Sequence, residues 1–286
     1  MKRMTVSEKI FKILAYVLLT VFALCCIYPL IFTLSTAISG DDAVNYSEVY
    51  LLPIDVQFRS LKHVITLSGY WIAYSNTIFF TFYGTIVCMF IAITGAYALS
   101  KKRLLWGRGF NFLLVVTMWF NAGLVPTYQN FLRFHIVNSR FGYLIALGFS
   151  AYNIILLRNY FSSVPYEIEE AATIDGANEF QLLTKIYLPM SKASIATVTM
   201  FYALNHWNSY AWPKLLLSGD FQPLQVYMRT YIDNILMSDN AATVLPSAPN
   251  SIQSAMVICS IIPIIIIYPQ LQKYFAAGVN LGGVKE

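Results

Sequence analysis

The sequence predicts an all-α membrane protein: six transmembrane helices in a single domain spanning 1–286, with both termini in the cytoplasm. Three observations carry this. Of 286 residues, 57% are hydrophobic and only 12% charged, and the mean hydropathy is +0.58. A soluble domain carries about 25% charged residues, so this chain has too little charge to cover a surface facing water. Six apolar runs, roughly 13–38, 72–99, 110–130, 141–161, 191–212 and 252–271, match the length needed to cross a hydrocarbon core, which is about 20 residues per helix. A β-barrel would alternate in much shorter segments. Finally, 13 of the 19 Lys and Arg residues fall in the N-terminal segment, in 100–109, in 162–190 with its flanks and in the tail from 272. The positive-inside rule places those four regions in the cytoplasm.

Each run has its own justification. The first, 13–38, exceeds the h-region of a secretory signal and ends in no small-x-small cleavage site, so it is expected to be retained as a span. The second, 72–99, is followed by Lys101, Lys102, Arg103 and Arg108, which act as topology determinants. The third ends around Asn121, Pro126, Thr127, Tyr128 and Gln129, and the fourth holds Tyr152 and Asn153. The fifth carries Thr199, Tyr202, Asn205 and Ser209 at helical spacing, with His206, Trp207 and Asn208 beside them. The sixth precedes a Gly-rich tail. Cys25, Cys26, Cys88 and Cys259 all lie inside apolar runs and read as small buried hydrophobes, since no Cys/His spacing supports a metal site.

Several functions are disfavoured. The basic residues lie in short loops beside apolar runs, so they form no nucleic-acid footprint. No Asp or Glu lies within any of the six runs, whereas ion-coupled carriers usually hold their coupling ion with intramembrane acids. No Gly is followed by Lys, which removes the phosphate-binding loop of nucleotide hydrolases; ATP, if used, must be hydrolysed on another chain.

The acids are concentrated elsewhere. Glu167, Glu169, Glu170, Asp175 and Glu179 are five of only 14 acidic residues. They fall in a loop assigned to the cytoplasm. Ser162-Ser163-Val164-Pro165 resembles a helix start, with serine able to cap and proline tolerated in the first turn. The glutamates then complement the positive end of the helix dipole. Gly176 can end this helix in a left-handed turn. A second helical piece runs through Phe180, Leu183 and Tyr187 until Pro189 stops it. Two short helices over about 165–189 would thus lie across the membrane face. A merely solvated connector fits the same spacing.

The segment resembles the EAA loop of binding-protein-dependent ABC importer permeases, the MetI-like family. Glu170-Ala171-Ala172, Gly176 and Ile186-Tyr187-Leu188-Pro189 keep every spacing of that pattern, and Asp175-Gly176-Ala177 fits its carbohydrate-uptake branch. Trp207-Asn208-Ser209-Tyr210-Ala211-Trp212-Pro213 is similar to a run that ends the fifth span in that branch. Gly278 to Lys285 looks like its terminus, although Glu286 stands where Gly is common. The resemblance covers essentially the whole chain and is strongest to the six-span subunit of maltose-permease type. Asn121 to Tyr128 also resembles a run of permeases for oligosaccharides released from complex polysaccharides, with Ala122 departing from it.

The resemblance implies a type I importer permease in a bacterial or archaeal plasma membrane, itself no enzyme. It would pair with a second homologous permease, two ATPase subunits carrying ATP and Mg, and an extracytoplasmic solute-binding protein. No cofactor would be bound by this chain. Glu169 or Glu170 would meet a basic residue of the ATPase, with Ala171, Ala172, Asp175, Gly176, Ala177, Ile186, Leu188 and Pro189 shaping the coupling segment. Asn121, Tyr128, Asn153, Tyr202, Asn205, Trp207 and Asn208 are candidates for a carbohydrate path, because amides match hydroxyls and aromatic rings stack on sugar C–H faces. The same polar residues fit interhelical hydrogen bonding. The long connections 39–71 and 213–251, with Asp41, Asp42, Asp220, Asp233 and Asp239, would receive the solute-binding protein. An ion-coupled carrier or channel working alone, and a membrane scaffold, are the competing classes.

Overall fold

The computed structural model describes residues 5–146, 148–237 and 245–283. The roles expected of Lys2, Arg3, Asp239, Val284, Lys285 and Glu286 lie outside the described residues. No strand occurs among the described residues; every regular element is helical.

One compact unit joins Met1–Trp71 to Met228–Ile262. Its first helix, α1, spans Val6–Ala37 and starts earlier than hydropathy indicates, because Thr5 and Glu8 form a reciprocal capping box. The charges at Lys9 and Lys12 lower the apolarity there without ending the helix. Only Ser35, Thr36 and Ala37 of α1 are buried. Cys25 and Cys26 are therefore exposed rather than buried as expected.

Beyond α1 the chain folds back on itself. Ser39 Oγ donates to the Ser35 carbonyl at 2.6 Å, and Gly40 N–H donates to the Ile54 carbonyl at 2.9 Å. Two short helices follow, α2 (Asp41–Asn45) and α3 (Arg59–Thr66). The Asp41 carboxylate accepts the Ala248 N–H at 2.7 Å and lies 3.5 Å from Arg59. His63 and Tyr231 share a 2.9 Å hydrogen bond, and Tyr70 donates to the Met256 carbonyl at 3.1 Å.

The other unit joins Ile72–Tyr227 to Pro263–Glu286. It contains most of α4 (Ser68–Ser100), then α5 (Gly107–Trp119), α6 (Leu124–Arg133), α7 (Arg140–Ala146) and α8 (Ala151–Phe161). Next come α9 (Tyr166–Ile174), α10 (Glu179–Leu182), a π turn (Leu183–Tyr187), α11 (Leu188–Met190), α12 (Lys192–Trp207) and α13 (Ala211–Leu216). Two last helices, α14 (Leu224–Leu236) and α15 (Pro249–Gly283), run through both units.

Small residues set the packing of this unit. Ala92 and Ala96 on α4 are fully buried against Leu157 and Val198. Without a hydrophobic force between helices in lipid, such small side chains permit the close approach that holds a bundle together. Gly84 is the tightest case. A Cβ there would stand 2.8 Å from the His206 ring, whose Nε2 lies 3.3 Å from Cys88 Sγ. His206 is thus buried and held by this contact. A second cluster gathers Phe80, Tyr143, Leu144, Leu216 and Leu217, with Phe80 and Tyr143 edge to face at 4.8 Å.

The helices differ from the apolar runs in an informative way. Among the described residues, α1, α4 and Pro249–Pro269 of α15 can cross a membrane by length and apolarity, or up to five segments if each of two bent pairs is one span. The expected run 110–130 is α5 and α6, bent by 114°. Gly123 causes the break: its φ is +86°, and Asn121 Oδ1 accepts its N–H at 2.9 Å. Pro126 then falls in the first turn of α6, where no N–H partner is lost. The expected run 141–161 is α7 and α8, bent by 57°. The run 191–212 yields α12, whose 16 residues end at Trp207, about 24 Å of helix.

Gly84→Val drives a branched side chain into the His206 ring. We expect a loss of about 1–3 kcal/mol from overpacking, read as a lower Tm in detergent; an unchanged Tm would show that the ring does not sit against α4.

Candidate functional site

The acidic loop is built by local rules. Pro165, not a serine, stands at the N-cap of α9, because Ser162 and Ser163 are used to finish α8 through bonds to the Arg158 and Tyr160 carbonyls. At its other end α9 closes in a Schellman turn: Gly176 N–H donates to the Thr173 carbonyl at 3.0 Å and Ala177 N–H to Ala172 at 2.9 Å. Gly176 has φ +82°, the left-handed geometry that this turn requires. Asn178 and Gln181 form a capping box that opens α10. That signal is legible in the sequence as N-x-x-Q.

Pro189 does not stop the second piece. Leu188 N–H reaches back five residues to the Leu183 carbonyl, and this wider turn accommodates the proline that α11 contains. The widening also shifts the buried face. Leu182 and Tyr187 are buried, while Phe180, grouped with Leu183 and Tyr187 by α-helical spacing, is 73% exposed.

The two neighbouring glutamates have opposite surroundings. The Glu169 side chain is 12% exposed and Lys101 only 7%. Lys101 Nζ lies 2.8 Å from Glu169 Oε1, 4.3 Å from the Tyr97 ring centre and 4.1 Å from that of Tyr187. Tyr187 donates its hydroxyl to Glu169 Oε2 at 2.5 Å. Tyr97 donates to Glu179 Oε2 at 2.7 Å, and Arg103 pairs with Glu179 and approaches Glu169 at 3.9 Å. The end of α4 therefore grips both helices of the loop. Glu167, Glu170, Ala171, Asp175 and Gly176 stay exposed, with Ile174 exposed by 80% beside them. Ala172, Ala177, Ile186 and Leu188 pack against the buried cluster below. A groove of 660 Å³ runs between Lys101, Lys102, Arg103 and the Glu169–Glu170 edge of α9.

Electrostatics agree with this geometry. Burial alone would raise the Glu169 carboxyl, but the bonds from Lys101 and Tyr187 outweigh it and hold the group below its usual range. Burial and the bond to Glu169 push the Tyr187 phenol up. Burial lowers the Lys101 ammonium, against the pull of Glu169. Sequence reasoning treated Lys101 and Arg103 only as topology determinants and did not single out Tyr97; no local signal marks their role, because the partners lie far along the chain.

The polar helix residues divide into two groups. Asn153, Tyr202 and Asn205 line one cleft of 610 Å³, together with Ser150, Tyr152, His206, Ser209, Phe201 and Trp212. Asn208 joins Asn205 and Ser209 in an adjoining depression. Among the described residues, no Asp, Glu, Lys or Arg lines either one. Trp207 instead is buried edge-on to Tyr74 at 6.0 Å, Tyr128 packs on the Phe80–Tyr143 cluster, and Asn121 serves the Gly123 turn.

A family profile described as "Binding-protein-dependent transport system inner membrane component" matches residues 1–281. The chain is 31% identical over 284 residues to the polygalacturonan/rhamnogalacturonan transport system permease protein YtcP of Bacillus subtilis, covering 98% of this chain and 99% of that protein. It is 27% identical over 239 residues to the arabinooligosaccharides transport system permease protein AraQ of Halalkalibacterium halodurans, with 82% and 81% covered. A chain from the crystal structure of a bacterial ABC transporter involved in the import of the acidic polysaccharide alginate superposes with a TM-score of 0.88 at 41% identity, covering 96% of this chain and all of that one.

Because the folded Glu169 carboxyl titrates below its ordinary 4.5, its stabilisation is complete above that value and is lost as pH falls through the folded value. The Tm advantage of wild type over Glu169→Gln in detergent should therefore be constant from about pH 8 to about pH 6 and shrink well below pH 4.5. A margin that already closes between pH 8 and pH 6 would refute the pairing.

Proposed function

The chain belongs to the binding-protein-dependent transport system inner membrane component family, and from that premise we propose that it is the transmembrane permease subunit of an ATP-driven importer for carbohydrate, an oligosaccharide in particular. One observation carries the proposal beyond the family. The acidic loop is a helix–turn–helix that is fastened to the end of α4 on one side and presents Glu170, Ile174 and Gly176 on the other. An anionic and apolar face of this kind suits a basic groove on an ATPase, where charge complementarity fixes orientation as well as attraction. ATP and Mg²⁺ would be held entirely by that partner, and this chain would bind no cofactor.

In this reading the chain crosses the plasma membrane six times with both termini in the cytoplasm, α12 serving as the fifth crossing. A second, homologous permease covers the bare flank of α1, and two ATPase subunits dock below. An extracytoplasmic solute-binding protein delivers the sugar to the connections 39–71 and 213–251. Closure of the ATPases moves the docked loops and rocks the helices between inward- and outward-facing states. The relatives named for polygalacturonan/rhamnogalacturonan and for the acidic polysaccharide alginate favour an acidic oligosaccharide as the substrate. The described lining of the cleft holds no Asp or Glu to repel such a substrate, and its amides and aromatic rings match hydroxyls and C–H faces.

Purification in mild detergent tests the class: an ATPase and a second permease should accompany this chain, whereas a homodimer alone would return the reading to an ion-coupled carrier. Glu170→Lys should cut uptake and substrate-stimulated ATP hydrolysis by about tenfold or more while membrane insertion persists, since breaking a charged interface contact costs several kcal/mol. Normal uptake by that variant would remove its coupling role. Asn205→Leu should raise the sugar concentration for half-maximal uptake by about threefold to tenfold without affecting ATPase co-purification, the loss expected for one hydrogen bond.

A further inference from the structure

We propose that Lys101 is the positioning residue of the coupling step: it bolts α9 and the π turn to the end of α4, so that a push on the docked loop reaches α4 directly instead of travelling along the chain into α12. The inference rests on the permease reading above and adds the route of transmission to it.

The chain offers two routes from the loop into the helical bundle. The covalent one runs through the π turn, α11 and Ser191 into α12. It is soft by construction. The π turn replaces tight bonding with an i→i+5 bond, Pro189 contributes no N–H, and Ser191, between α11 and α12, leaves helical geometry at φ −105°, ψ 20°. Each of these is a point where a helix bends.

The other route is through side chains and is stiff. The Lys101 ammonium is removed from water and enclosed by one carboxylate and two aromatic faces, which come from α9 (Glu169), α4 (Tyr97) and the π turn (Tyr187). A buried ammonium tolerates little displacement from its partners, because each lost contact leaves a charge without compensation. Tyr97 and Arg103 repeat the grip on α10 through Glu179. The stretch from Tyr97 to Arg103 thus holds both limbs of the loop, while the opposite, exposed face remains free for docking. Glu169 accordingly belongs to the internal fastening, and Glu170 is the glutamate left for the ATPase.

The assay uses the assembled complex in proteoliposomes with the substrate-loaded binding protein. Lys101→Met keeps the length of the side chain and removes its charge. The ATPase should co-purify at wild-type yield and basal hydrolysis should persist, while uptake falls about fivefold or more and the ATP consumed per sugar imported rises in proportion, as expected when coupling between sites is lost. Lys101→Arg, which keeps both the ion pair and the cation–π contacts, should restore most of the coupling. Tyr187→Phe removes only the hydroxyl on Glu169 and provides a milder variant should Lys101→Met not assemble; it should raise ATP per sugar by about twofold.

An unchanged ATP-to-sugar ratio in Lys101→Met, or in Tyr187→Phe where only that variant assembles, overturns the proposal. So does loss of the ATPase from a Lys101→Met subunit that still pairs with its fellow permease, because Lys101 would then serve docking. A wild-type chain that retains no ATPase would overturn the permease reading itself, and the two failures are distinguished by that control.

Discussion

Hydrocarbon offers no hydrogen bonds, so every backbone N–H and C=O within it must be satisfied by the chain itself. That constraint explains the all-helical architecture, and a related rule holds at the helix breaks, whether in lipid or in water. At Gly123 the turn is paid for by an Asn121 side chain, at Gly176 by a Schellman pair, and at Pro189 by a wider turn. Each interruption has its own replacement donor or acceptor.

The same logic governs charge. Within the described residues the bundle interior holds amides, hydroxyls and one imidazole rather than carboxylates. Ionic pairs lie outside that interior, at the end of α4, where Lys101 and Arg103 face Glu169 and Glu179, and at Asp41–Arg59 and Arg229–Asp233. The described interior is neutral, and the periphery carries the charged contacts. Separating the two keeps desolvation costs away from the cleft.

Much of this was legible in the residues. Apolar runs and spacing located the helices of α1, α4 and the acidic loop, because those signals are local and repeated. Gly176 was legible as a left-handed stop because few residues adopt that geometry. The choice between Glu169 and Glu170 was not. Adjacent residues on a helix point in different directions, and only the packing of α9 on α4 decides which one turns inward. The π turn was equally hidden, since Leu182, Leu183 and Tyr187 satisfy more than one period until the fold selects one. Of the four residues that helical spacing grouped on one face, Tyr202, Asn205 and Ser209 line the cleft and Thr199 does not, while Asn121 and Tyr128 lie at and beyond the bend before α6 and line neither depression.

The bareness of α1 has a consequence for how the helix is held. Among its described residues only Ser35, Thr36 and Ala37 are buried, so most of its length faces the surroundings of this chain. Lipid tails are as apolar as Leu and cover such a flank without penalty, so α1 is anchored by its final turn and not by packing along its length.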